Sequence, residues 1–358
     1  MPSHDLRMNW PAPHTANMRK DVALPGSKRP RLGLHPRASA CVQWRMPKDV
    51  YTLADLRDWP APLVEGEPPV RLAVIGDPVA QSRSPVMHNA ALKALGIAAA
   101  YSRLHIRAEE LPEALRLLPR CNFIGANITM PHKPAALALM DEVDPHARRA
   151  GGVNTVVGDG DKLTGFSTDG PGFVRAIRAD FGVDVRDLRV LILGAGGGAG
   201  RAIAVQCAAE GCDRLVLVNR TFERAEALVA ELAPSFRKTR VKGPMTTLEA
   251  VPWENQLLTR QLAQIDLVVN ATPLGMASAD PVIRRVSPLP ASLLRPHHLV
   301  YDTIYSAART PLLLAADEAG ARGSNGLSML LHQGALSFEI WFAKPAPLEI
   351  MRAAILSA

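Results

Sequence analysis

LILGAGGGAGRA, residues 191–202, ends an unbroken apolar run in a glycine-rich turn and opens an alanine-rich segment. Strand, turn and helix thus follow one another in the order that a dinucleotide fingerprint requires. Gly194 permits the tight turn, Gly196 lets backbone approach a pyrophosphate, and Ala199 holds the third, helix-packing position. Ala195, Gly197 and Gly198 keep the rest of the loop free of bulk. The pyrophosphate is expected on the helix N-terminus, where unpaired N–H groups and the dipole favour an anion.

Beyond this turn, RLVLVN (214–219) reads as the next strand and ERAEALVAELA (223–233) as the next helix. IDLVVNAT (265–272) and HHLVYDTIY (297–305) are later strands of the same series. An NAD enzyme usually carries Asp or Glu at the end of the second strand, bound to the ribose 2′-hydroxyl. Asn219, Arg220 and Thr221 stand there instead, 25 residues beyond Gly194, with Arg224 one turn later. A guanidinium stacks on adenine and pairs with a 2′-phosphate, which a carboxylate would repel. The expected cofactor is NADP.

A separate alternating series precedes the turn. VRLAVIG (70–76) reads as a buried strand and SPVMHNAALKALG (84–96) as a helix, with Ser84 at its N-cap and Pro85 at its first position. AYSRLHI (100–106) and FIGANIT (123–129) are strands; EELPEALRLLP (109–119) and KPAALALMD (133–141) are helices. This order implies a parallel sheet covered on both faces. GGVNTVVGDGDKLTGFSTDG (151–170) interrupts it with two short extended pieces, and apolar spacings of three and four make 325–358 helical. The expected fold is α/β in two domains. Residues 70–168 form a parallel-sheet-based substrate domain and 169–324 a Rossmann-type NADP-binding domain, with C-terminal helices, 325–358, returning to the first.

The composition, 47% hydrophobic and 21% charged over 358 residues, is that of a globular protein of two ordinary domains. No segment approaches the roughly 18 apolar residues of a membrane span, so no membrane partner is expected. The net charge of +7 suggests nucleic acid until it is located. Residues 1–46 carry eight Lys and Arg against two Asp, whereas the remainder carries 33 basic and 32 acidic side chains. Basic excess at one proline-rich end reads as a tail, not a groove, and nucleic acid is not an expected partner. Residues 1–69 are read as an N-terminal extension, largely disordered at least to 45. It is either transit-like or upstream of a true initiator at Met46. Cys41, Cys121, Cys207 and Cys212 lack paired metal spacing, and His88 and His132 lack clustered ligands, so no metal is expected. Buried thiols suit a reducing, cytoplasmic compartment.

GANITMPHKP (125–134) places Lys133 between two prolines, which stiffen the backbone on both sides of a flexible ammonium. Together with VIGDPVAQSRSPVMHN, GGVNT, STDG, LGAGG, NRT, VNATPLGM, YDTIY and NGLSMLLHQ, each in its place along the chain, it resembles the shikimate dehydrogenase family from about residue 70 to the end. That family reduces 3-dehydroshikimate reversibly to shikimate with NADPH on the way to chorismate and aromatic amino acids. The resemblance implies that Lys133 and Asp169 are the catalytic pair. It implies that Ser82 and Ser84 donate hydroxyls to the substrate carboxylate, and that Asn127, Thr129, Asn154, Tyr305 and Gln333 line the substrate pocket. Thr272, Met276, Gly326 and Met329 are the implied cofactor contacts, the two methionines against the nicotinamide.

Hydride transfer to a ketone builds alkoxide charge, so the site needs a proton donor or a fixed cation, and a lysine serves as either. Two departures stand out: Ser167 replaces the Asn common before Thr-Asp-Gly, and the glycine loop has one Gly more than many relatives. A quinate/shikimate dehydrogenase using NAD(P) is the nearest rival, disfavoured by Ser82, Ser84 and Arg220. A catalytically silent nucleotide-binding regulator is the other, disfavoured by the intact Lys133 and Asp169. The expected partner is the small-molecule substrate, in a monomer or homodimer.

Overall fold

The computed structural model describes residues 48–59, 68–236, 247–276 and 280–357; the tail expected to be disordered to residue 45 lies outside them. Among the described residues, seven strands build the first sheet: β1 (Val50–Thr52), β2 (Val70–Gly76), β3 (Ala100–His105), β4 (Gly125–Ile128), β5 (Glu142–Val143), β6 (Thr155–Asp159) and β7 (Lys162–Phe166). Their spatial order is β1-β3-β2-β4-β6-β7-β5. β1 to β4 pair in parallel, as expected of strands separated by helices.

β6, the first of the two short extended pieces that interrupt the parallel series, runs antiparallel to both β4 and β7. The cause is local. Asp159 pairs with Lys162, so only Gly160 and Asp161 connect β6 to β7, whereas a parallel return needs a crossover of about a dozen residues. Gly160, at φ 58, supplies the left-handed corner of that hairpin. Residues 50–57, read from the sequence as part of the extension, form β1 and a short helix, with Val50 opposite Arg103 at the sheet edge. Three strand residues are too few to show a period, and the tertiary pairing creates the element.

The second sheet contains β8 (Arg189–Leu193), β9 (Arg214–Val218), β10 (Thr247–Val251), β11 (Leu267–Asn270), β12 (Leu299–Asp302) and β13 (Arg322–Asn325). The order is β10-β9-β8-β11-β12-β13 and every pairing is parallel. This is the doubly wound Rossmann order, with its switch point between β8 and β11, where ligands bind outside the carboxyl ends of the strands. β8 is apolar on both faces because both are covered. Val190 and Ile192 pack with Phe173 and Ile203, while Leu191 and Leu193 pack with Leu258 and Leu312.

The helices Leu327–Phe342 and Leu348–Leu356 return to the first sheet. Leu331, Ala335, Phe338 and Trp341 join Leu72, Val74 and Met87 in one core, and the Trp341 indole donates to Val156 O at 2.9 Å. The helix Asp169–Phe181 links the sheets, packing against both Leu327–Phe342 and Gly198–Glu210. Among the described residues no helix is long and apolar enough to cross a membrane. Cys121, Cys207 and Cys212 are buried free thiols, small core side chains as expected.

Candidate active site

Lys133 and Asp169 each open a helix, Lys133–Leu137 and Asp169–Phe181. Pro134 falls in the first turn, where its missing N–H breaks no helical bond. Buried His132 fastens the turn from the other side, its Nε2 lying 2.6 Å from Ile106 O. From these two starts the side chains meet: Lys133 Nζ donates to Asp169 Oδ2 at 2.6 Å. The Lys133 side chain is 17% exposed and that of Asp169 6%. A helix N-terminus favours the carboxylate and disfavours the ammonium, so Asp169 is what holds Lys133 in place. Among the described residues it is Lys133's only hydrogen-bond acceptor, leaving two ammonium protons for a ligand.

Behind the pair lies a buried amide and hydroxyl network. Asn154 Nδ2 is 2.9 Å from Asp169 Oδ1, 2.9 Å from Thr168 Oγ1 and 3.2 Å from Gln333 Oε1. Its Oδ1 accepts the Thr168 amide at 2.8 Å, which fixes the orientation of the side chain. Asn127 Oδ1 accepts from the Tyr101 hydroxyl at 2.7 Å, and its Nδ2 donates to Asn154 O at 3.1 Å and Ser337 Oγ at 3.0 Å. Ser337 lies 2.8 Å from Thr155 Oγ1 and donates to Gln333 O at 3.0 Å. Asn127, Asn154, Gln333, Lys133 and Asp169, all named from the sequence, are thereby one bonded unit.

Sequence reasoning missed Tyr101, Thr155, Thr168 and Ser337. Thr155 and Thr168 lie inside GGVNT and STDG, and Ser337 sits four residues after Gln333, one turn further along the same helix. Those were usable signals. Tyr101 carried none beyond its place in a strand.

Ser84 is the first residue of its helix and Arg83 occupies the N-cap, one position earlier than expected. The Ser84 amide is met by Ser82 Oγ at 3.3 Å. Burial pushes the Tyr101 hydroxyl well above its usual pKa, opposed by its hydrogen bond with Ser84. Burial likewise raises Tyr305, opposed by nearby Arg83 and by hydrogen bonding with Ser82. Tyr305 follows β12, so the second sheet reaches the paired serines of the first. Thr129 joins β2 through its amide, 2.9 Å from Ile75 O, and its hydroxyl has no partner among the described residues.

The glycine turn sits at the end of β8 with Gly194 at φ 84. One expectation needs correction: Gly200, not Ala199, holds the close-packing position. A Cβ on Gly200 would stand 2.2 Å from Gly194 O, whereas Ala199 is half-exposed; the additional glycine shifts the fingerprint by one residue. The Gly196 amide donates to Asn219 Oδ1 at 3.3 Å, and Ala195 N to Val218 O at 3.2 Å. Gly197 and Gly198 are exposed, and Gly198 borders the catalytic pair, since a Cβ there would touch Lys133 Cδ at 3.6 Å. Arg220, Thr221 and Arg224 are exposed, and neither arginine has an acidic partner among the described residues. An open backbone cradle with two uncommitted guanidinium groups at its far end fits a dinucleotide carrying an additional phosphate.

Thr272 Oγ1 donates to Asn270 Oδ1 at 2.7 Å, and Asn270 Nδ2 to Asp302 Oδ1 at 2.9 Å. Burial pushes Asp302 up to about 6, opposed by hydrogen bonds from Thr310, the Ile304 amide and Asn270. Gly326 has no room for a side chain, its Cβ position being 2.0 Å from Thr303 O. Met276 is half-buried beyond β11. Met329 packs into the core beside Tyr301, so the fold alone accounts for it. Among the described residues no group of three or more His, Cys, Asp or Glu could hold a metal ion.

Residues 74–156 match the family model of the shikimate dehydrogenase substrate binding domain, 176–285 that of shikimate/quinate 5-dehydrogenase, and 326–356 that of the shikimate 5′-dehydrogenase C-terminal domain. The shikimate dehydrogenase (NADP(+)) of Symbiobacterium thermophilum is 41% identical over 287 residues, 80% of this chain and 94% of that protein. Shikimate 5-dehydrogenase from Thermus thermophilus, solved with NADP(H) and shikimate, aligns at 37% identity and a TM-score of 0.69, covering 80% of this chain and 99% of that one. Quinate dehydrogenase from Corynebacterium glutamicum, solved with NAD, aligns at 31% identity and a TM-score of 0.70, covering 81% and 99%.

Proposed function

This chain belongs to the shikimate dehydrogenase family, and we propose that it catalyses the reversible, NADPH-dependent reduction of 3-dehydroshikimate to shikimate in the building of aromatic amino acids. The observation that carries the reading is the Lys133–Asp169 pair, 2.6 Å apart and bordering the glycine loop. NADPH, when bound, supplies the hydride. Lys133 holds positive charge at the carbonyl oxygen and delivers a proton to it as alkoxide charge develops. Asp169 keeps the ammonium aimed, and Asn154 keeps Asp169 aimed. Ser82 and Ser84, at the start of a helix, present hydroxyls to the substrate carboxylate, with Tyr305 closing from the other sheet. Asn127, Thr129 and Gln333 hold the ring hydroxyls, and Arg220 and Arg224 take the 2′-phosphate. Membrane and nucleic acid have no part in this reading, and the enzyme acts in the cytoplasm as a monomer or homodimer.

Steady-state kinetics on the full chain, comparing shikimate with quinate and NADP with NAD, test the proposal. Shikimate with NADP is expected to give the largest kcat/KM. A larger value for quinate with NAD would overturn substrate and cofactor together.

A further inference from the structure

We infer that Arg201 is a positioning residue that locks the cofactor-side helix to the backbone carrying Lys133, and so sets the alignment for hydride transfer; this rests on the dehydrogenase reading above. Arg201 lies in the first turn of Gly198–Glu210, the helix that follows the glycine loop. Its guanidinium reaches across to the end of the helix Pro145–Ala150, with Nε donating to Ala150 O at 3.1 Å and Nη2 to Arg149 O at 3.2 Å. Glu231 holds the same Nη2 at 2.5 Å, which limits the guanidinium to one direction.

The receiving side is shaped for it. Gly151 ends that helix at φ 67, and a Cβ there would stand 2.3 Å from Arg201 Nε. Two residues on, the Val153 amide donates to Lys133 O at 2.9 Å, and the next residue, Asn154, holds Asp169. A bonded route therefore runs from the cofactor loop through Arg201 and residues 149–153 to both members of the catalytic pair. Alignment matters because a misplacement of about 1 Å costs about a hundredfold in rate.

The test uses Arg201→Met, Arg201→Lys and Gly151→Ala in the full chain. Arg201→Met is expected to lose about tenfold in kcat and to show a larger primary isotope effect with shikimate deuterated at the reacting carbon, with KM and the NADP+ Kd within about threefold. Lys, able to reach one carbonyl, restores part of the rate. Gly151→Ala, which leaves the arginine but displaces it, reproduces the Met phenotype. A weakened NADP+ Kd with unchanged kcat would make Arg201 a phosphate ligand and overturn the inference. So would a rate loss that tracks only the melting temperature, with an unaltered isotope effect. In the cofactor-free protein, Arg201→Met is expected to speed hydrogen exchange at the Val153 amide. Unchanged exchange there overturns the inference even if wild type proves inactive on shikimate, an outcome that by itself sinks only the proposed function.

Discussion

Lys133 differs from a solvated surface lysine in what surrounds its ammonium, not in its own chemistry. Only Asp169 accepts from it among the described residues, and the glycine loop lies against its stem. Lys133→Met is expected to lower kcat by about a thousandfold while NADP+ binding stays intact, read by single-turnover rates and fluorescence titration. Activity comparable to wild type would remove Lys133 from the chemistry. Asp302 gives a prediction in pH. Its carboxyl is raised from 3.8 to about 6, so between those values the folded protein holds a proton that the unfolded chain has released. That contribution favours the folded state at the acid end and is lost as pH rises through about 6. Relative to Asp302→Asn, wild type should lose about 3 kcal/mol of unfolding free energy between pH 3 and pH 7. A pH-independent difference in urea unfolding would contradict this.

Among the elements, the glycine turn shows how far pattern reaches. Strand, turn and helix were legible because apolar runs and glycines act locally. Which residue packs closest was not, because the additional glycine moves the register and only the approach of Gly200 to Gly194 O settles it. Gly200→Ala should destabilise by about 2 kcal/mol and weaken NADP+ at least about tenfold, because the obstructing atom is backbone and cannot yield. Ala199→Gly should cost no more than about 1 kcal/mol of helix propensity. Urea unfolding and calorimetric titration of both variants measure this; equal costs would restore Ala199 to the packing position. The β6–β7 hairpin teaches the same lesson. Its Gly-Asp corner was visible, but its antiparallel seat beside β4 was not.

For the molecule as a whole, the chain end is structural. Trp341 packs tilted against His88 and Tyr101 and bonds to Val156 O, so the last helices hold the first sheet together. Trp341→Ala should destabilise by about 3–5 kcal/mol in chemical denaturation, while the folded fraction still binds NADP+ through the other sheet. An unchanged midpoint would show that the terminal helices do not belong to that core. Element types, the nucleotide turn, the missing carboxylate after β9 and the ordered family motifs were all readable along the chain, because each rests on local period, backbone sterics or residue chemistry. The assembled network was not. Asp169 meets Lys133 across 36 positions and Ser337 meets Asn127 across 210. Such hydrogen bonds exist only where packing of distant helices closes the distance and excludes water, and no local pattern encodes that.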